Sequence, residues 1–305
     1  MGQYLGRRAL QSILSLIGLI VLVFFLARLT GDPTSLYLPV DASIQDRQEF
    51  AHRHGFDQPV HMQFFRYVGD LARLDFGTSI RRDMPALGAV LHAIPHTLKL
   101  AAVTMALSLV TSLVVGCLAA WRPNSVFDRM ASTLSLGGAS TPDFWVAIMG
   151  ILILAVALGW LPTSGMGGPS YWVLPIFTLS LKPTGILVQV VRGSMISTLQ
   201  AAFITTARAK GLRERQVLFV HALRNSMISM ITVAGDQAVG MLNGAVVVET
   251  VFGWPGVGKL MIDAINQRDF ALVQVAVLVT ALAIFSLNVV IDLIYAMLDP
   301  RIRLS

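Results

Sequence analysis

Gly253-Trp254-Pro255-Gly256-Val257-Gly258-Lys259 fills the first seven places of the Gly-x-x-x-x-Gly-Lys pattern that cradles phosphate on backbone N–H groups. The eighth place needs a hydroxyl for magnesium and holds Leu260. No strand of soluble character precedes the motif, so nucleotide binding is rejected. The glycines are expected to form a tight turn packed on neighbouring helices. His52, His54 and His61 lie in one polar region without regular ligand spacing. They read as surface residues, a metal site being the less favoured alternative, and no metal is assigned to the chain. Lys182 and Asp236 each fall near the middle of an apolar run, at similar depth. A lone charge there costs about 2.5–3.5 kcal/mol on insertion scales, so it should face an interior and have a partner. The two are expected to pair or to line one water-filled path, with a purely structural ion pair as the bland alternative.

The runs that carry these charges define the chain. It has 305 residues, 55% hydrophobic and 13% charged, whereas a soluble domain is closer to a quarter charged. This is a polytopic, all-α membrane protein. Ala9 to Leu29 is 21 residues long, enough to span at 1.5 Å per residue. Arg28-Leu29-Thr30-Gly31-Asp32-Pro33 follows in place of a small-x-small cleavage site, so the run reads as an uncleaved helix. Further spans are expected at Leu98 to Trp121, Phe144 to Leu158, Tyr171 to Val191, Met227 to Val248 and Ala271 to Met297, six in all. Ser125 to Ala139 reads as an amphipathic approach to the third span. Pro175 and Lys182-Pro183 are expected to interrupt the fourth, and Phe252 to Phe270 to be a polar loop. The chain thus divides into a first helix at 1–29, an outer region at 30–97 and a five-helix core at 98–305. Cys117, the single cysteine, packs as a small apolar residue.

The positive-inside rule orients the bundle. With the N-terminus inside, the short inner segments hold twelve Lys and Arg, against Lys259 and Arg268 alone in the short outer loops. Both termini are therefore expected in the cytoplasm. The same bias accounts for the net charge of +6, with membrane lipid and not nucleic acid as the surroundings.

The basic segment from Gln200 to Asn225, within a loop at 192–226, stands apart from the apolar runs. Arg208, Lys210, Arg213, Arg215 and Arg224 face a single acid, Glu214. Ala201 to Lys210 favour helix, Gly211 can adopt the left-handed conformation that ends one, and Leu212 supplies the hydrophobic residue of such a cap. Two short helices at an angle would make a knob at the membrane surface; the bland reading is a solvated loop. On Met227 to Val248, Asp236, Gly240, Asn243 and Gly244 share one small, polar face suited to a pore wall or to close packing. Asn288 and Asp292 stand one turn apart on the last helix.

TARAKGL, followed after eight residues by HALRN, resembles the coupling segment of ABC-importer permeases in the dipeptide/oligopeptide/nickel branch. RRALQSIL, GFDQP, LDFGTSI, LGWLPTSG, VVVETVFGWPGVGKL and MLDPRIR look like that branch's landmarks in order, over nearly the whole chain. The resemblance implies a type I importer permease fold in the bacterial inner membrane. It also implies a second homologous permease, two ATPase subunits that bind ATP and magnesium, and an external substrate-binding protein. This chain would then be no enzyme and carry no cofactor. Coupling would fall to Thr205, Thr206, Ala207, Gly211, His221, Leu223 and Arg224, with Arg208, Lys210, Arg213 and Arg215 as rim charges. Lys182, Asp236, Gly240, Asn243 and Asn288 are the candidate translocation path. Substrates implied range over peptides, nickel chelates, opines and glutathione-like molecules. An ion-driven secondary transporter is the alternative; it would normally carry an inverted repeat, and none is seen.

Overall fold

The computed structural model describes residues 2–29, 38, 42–79 and 81–298. Asp299, Pro300, Arg301 and Arg303, part of the MLDPRIR landmark, lie outside them, as do the side chains of Arg7, Arg8 and His54. Helices dominate. Among the described residues, four are long and apolar enough to cross a membrane: Ala86–Trp121, Ser170–Leu199, Glu214–Val251 and Phe270–Leu293. Val126–Ser140 and Asp143–Ala157 meet at 101° and make a further crossing if taken as one broken span. Ile13–Leu26 is a shorter apolar stretch within helix α1, Gly2–Leu29.

Several boundaries differ from those expected, for identifiable reasons. Helix α4, Ala86–Trp121, starts twelve residues before Leu98 and carries Pro95 inside it. Helix α7, Ser170–Leu199, likewise runs through Pro175 and Pro183, which the sequence reading took as interruptions. Packing against neighbours holds a helix together across a proline when the freed backbone groups are satisfied by its surroundings. The expected loop at 252–270 contains helix α10, Val257–Asn266. A two-residue antiparallel ladder pairs β1, Thr78–Ser79, with β2, Met84–Pro85, so the chain is not purely helical.

The chain forms two compact units. The first comprises Met1–Pro95 and Leu260–Phe285. Here helix α2, Ile44–His54, opens on a capping box in which Ser43 and Asp46 satisfy each other's backbone N–H groups. Helix α3, Val60–Ala72, packs Tyr67 on Phe24 of α1 with ring centroids 5.5 Å apart. The small ladder is fastened by a buried hydrogen bond from Ser79 Oγ to Asp269 Oδ2. Asp269 in turn accepts from the Leu272 N–H at 3.2 Å and caps helix α11, Phe270–Leu298.

The second unit comprises His96–Lys259 and Ser286–Ser305. Helix α5, Val126–Ser140, lies on α7 at backbone contact: a Cβ on Gly185 would strike the Ser135 carbonyl. On α4 the small residues Thr104, Ser108 and Ser112 are buried at four-residue intervals, continuing to Gly116, where a Cβ would come within 2.7 Å of Val191. Small faces of this kind let membrane helices approach closely. A buried cluster around Trp254, Phe252, Leu174 and Leu100 includes a Trp172–Trp254 edge contact at 4.6 Å.

Candidate coupling surface and polar path

The basic segment folds as a compact knob. Helix α8, Ala202–Ala209, ends at Gly211, whose φ of +78° is the left-handed conformation. The Gly211 N–H donates to Arg208 O at 2.9 Å and Leu212 N–H to Ala207 O at 3.3 Å, closing the helix. One short turn, Glu214–Gln216, leads into a π-helical stretch, Val217–Ala222, and then into helix α9, Leu223–Val251. The sequence reading anticipated two helices and a break but not the π-helical stretch.

This knob has an inner and an outer face. Ile204, Ala207, Val217, Leu218 and Ala222 are buried in one cluster with Cys117 and Ala120 of α4, Leu187, Val191 and Met195 of α7, and Met230 and Ala234 of α9. Thr205, Thr206, Arg208, Lys210, Gly211, Arg213, Arg215, His221 and Arg224 are exposed. Ala207 is 8% exposed and Leu223 is half-buried, and both pack against the inner cluster of the knob. Arg208 is tied to Glu214 by Nε at 2.8 Å. His221 and Arg224 line a cavity of about 710 Å³ with Phe203, Val220 and Ile228.

Beside the knob, Asp128 of α5 and Arg192 of α7 form a two-pronged ion pair, with Arg192 Nη2 donating to Asp128 Oδ2 at 2.8 Å. Asp128 is 2% exposed and also accepts from the Asn124 N–H at 2.8 Å. Arg192 therefore has a structural partner beyond its share of the positive-inside bias.

Lys182 and Asp236 do not pair: among the described residues no ion pair joins them, and both are exposed. The charge next to Lys182 is that of Asp143, the first residue of helix α6, Asp143–Gly150. Asp143 Oδ2 also lies 3.3 Å from where a Cβ on Gly244 would stand. So α6, α7 and α9 bring one cation and one carboxylate together, with Asp236 two turns further along α9. Gly240 and Asn243 are exposed on α9, and Asn288 is half-buried on α11. In the sequence Asp143 is inconspicuous, because it follows Pro142 at the boundary between two helices.

The phosphate-loop look-alike holds an anion of its own. Glu249, fully buried, accepts from the Gly258 N–H at 2.7 Å, the Lys259 N–H at 3.3 Å and Thr97 Oγ1 at 2.6 Å. Thr97 Oγ1 accepts in turn from the Val257 N–H at 2.9 Å. These N–H groups open helix α10, where an anion is favoured. A Cβ on Gly256 would overlap the carboxylate. The signal for Glu249 was present, a lone acid in VVVETV, but it sits at the end of its span, where a charge draws less notice.

At the end of α2, His52 Nδ1 pairs with Asp57 Oδ2 at 2.8 Å, which holds the Asp57 carboxyl below its ordinary range.

Known proteins match the chain along its length. The family profile of "binding-protein-dependent transport system inner membrane component" matches residues 112–304. The oligopeptide transport system permease protein AppB of Bacillus subtilis (strain 168) is 35% identical over 315 residues, covering 99% of this chain and 100% of the relative. The di/tripeptide transport system permease protein DppB of Pseudomonas aeruginosa (strain UCBPP-PA14) is 35% identical, covering 98% of each. The glutathione transport system permease protein GsiC of Salmonella paratyphi A (strain ATCC 9150 / SARB42) is 36% identical, again over 98% of each. Full-length likeness to such permeases sets the ion-driven secondary transporter aside. The chain belongs to the family of binding-protein-dependent transport system inner membrane components, as a multi-pass permease subunit of the bacterial inner membrane.

Proposed function

We propose that the chain forms half of the pathway of an ATP-driven importer for peptides or peptide-like solutes such as glutathione. It crosses the membrane six times with both termini in the cytoplasm. A second homologous permease completes the pathway, two ATPase subunits bind ATP and magnesium beneath it, and an external binding protein delivers substrate. The substrate class rests on relatives whose substrates are short amide-linked, amino-acid-derived molecules.

One observation carries the coupling role. The knob presents five exposed cations while its back is sealed into a cluster shared with α4, α7 and α9. A push on the exposed face therefore moves three membrane helices as a packed body, because close-packed interiors transmit displacement. Arg213, Arg215 and Lys210 meet an acidic rim on the ATPase, and Thr205, Thr206 and Gly211 allow close approach. Lys182, Asp143, Asp236, Asn243 and Asn288 contribute the polar lining that opens to alternate sides. Opposite charges at Lys182 and Asp143 suit a solute that carries both an ammonium and a carboxylate group.

The test is gentle extraction of the tagged chain from its own membranes, with mass spectrometry of what accompanies it, followed by reconstitution. Two ATPases, a second permease and ATP-dependent uptake of dipeptides or glutathione are expected. Uptake that persists without ATP would overturn the reading.

A further inference from the structure

An apolar cleft of about 320 Å³ opens on the side of the molecule beside the knob. Its floor is Cys117, Met195 and Leu218, all buried. Its mouth is Val114, Leu118, Trp121 and Phe219, all exposed. Three of those four belong to α4, a helix long and apolar enough to cross a membrane, so this apolar mouth suits lipid hydrocarbon better than water. A dry void forfeits dispersion contacts along its whole lining, and a flexible hydrocarbon is what the bilayer can offer to fill it.

The mouth also has a polar end. Trp121 is the last residue of α4, and the Arg122 guanidinium stands 5.8 Å from its ring centroid. Indole rings settle at the headgroup level of a bilayer, and Arg there attracts the phosphate of anionic lipids. The cation thus stands beside Trp121, a residue of the cleft's mouth.

We infer that this cleft is a binding site for a phospholipid of the leaflet nearer the knob, one acyl chain lying on Cys117 and its phosphate on Arg122. The π-helical stretch supplies Leu218 and Phe219 to the wall. An occupied cleft therefore props the joint between knob and α9, whereas an empty one lets it yield.

The test uses the intact transporter, this chain with the subunits that purify with it, in nanodiscs containing phosphatidylglycerol with a photoactivatable acyl chain. Adducts mapped by mass spectrometry are expected to concentrate on residues 113–121 and 218–223. Val114→Trp, at an exposed position that tolerates bulk, should close the mouth and cut those adducts about tenfold. Arg122→Gln should reduce capture of phosphatidylglycerol more than that of phosphatidylcholine. As a second readout, alkylation of Cys117 by N-ethylmaleimide should accelerate about tenfold when lipid is stripped by detergent, and slow again when it is returned. Adducts spread evenly along all exposed helix faces would overturn the site. So would protection of Cys117 that survives lipid removal, which would give the cleft to a protein neighbour.

Discussion

Thr97 and Glu249 stand 152 positions apart in the chain, yet the Thr97 hydroxyl donates to the Glu249 carboxylate at 2.6 Å in a fully buried site. With the Gly258 and Lys259 N–H groups, that bond fastens the end of α9 to the start of α10. Thr97→Val leaves the carboxylate short of a donor and the Val257 N–H without its acceptor. A loss of about 1–3 kcal/mol per unsatisfied group is expected, read as a lowered thermal midpoint in detergent. Gly256→Ala should be worse, because its Cβ overlaps Glu249. An unchanged midpoint in both variants would contradict the role given to this site.

Asp128 and Arg192 offer a separable test near the knob. Arg192→Ala strands a carboxylate that is 2% exposed, and a loss of about 3 kcal/mol is expected, since removing one partner of a buried pair is costly. Arg192 itself is 26% exposed, so water softens the loss. The double variant Asp128→Asn with Arg192→Ala should recover part of it. Strict additivity of the two single changes in a denaturant series would deny the interaction.

Arg213→Glu should lower substrate-stimulated ATPase activity about tenfold, the effect of roughly 1.4 kcal/mol at a charged rim. Insertion and folding should be unaffected because Arg213 is exposed. Arg208→Gln differs, because it also releases Glu214. A wild-type ATPase response in Arg213→Glu would remove this surface from coupling.

Tyr67 is half-buried, its phenol oxygen is buried with no hydrogen-bond partner among the described residues, and burial pushes its pKa up to about 12. Tyr67→Phe keeps the ring stack on Phe24 and discards the unsatisfied hydroxyl. It should raise stability by about 1 kcal/mol. Because the folded pKa is raised, the phenol's contribution to stability is constant at all pH below about 10. Stability is then lost as pH climbs from 10 toward 12, where the unfolded chain ionises first. A midpoint that falls equally in wild type and Tyr67→Phe over that range would assign the alkaline loss to other groups.

What could be read from the sequence was what apolar length and local backbone chemistry encode. The membrane runs, the break at Gly211 and the exposed basic face of the knob all follow from periodicity, charge and one glycine. Pairing between distant residues was not legible. Depth along the helix matches Lys182 to Asp236, but azimuth around the helix decides which charges come near each other, and the acid whose charge reaches Lys182 is Asp143 at the start of α6. Glu249 escaped for the same reason, since its partners Thr97 and Gly258 gain meaning only when three helices converge. Pro175 and Pro183 misled because a local rule about helix breaking was overruled by packing around α7.

The turn from Gly253 to Lys259 has a last implication. Its N–H groups are engaged by a side chain that the polypeptide itself delivers, and a tethered ligand acts at an effective concentration that no dialysis can lower. A free phosphate would have to evict a competitor that never leaves. Glycine-rich patterns in other membrane chains can be screened by the same criterion, by asking whether a carboxylate about ten residues upstream already holds the seat.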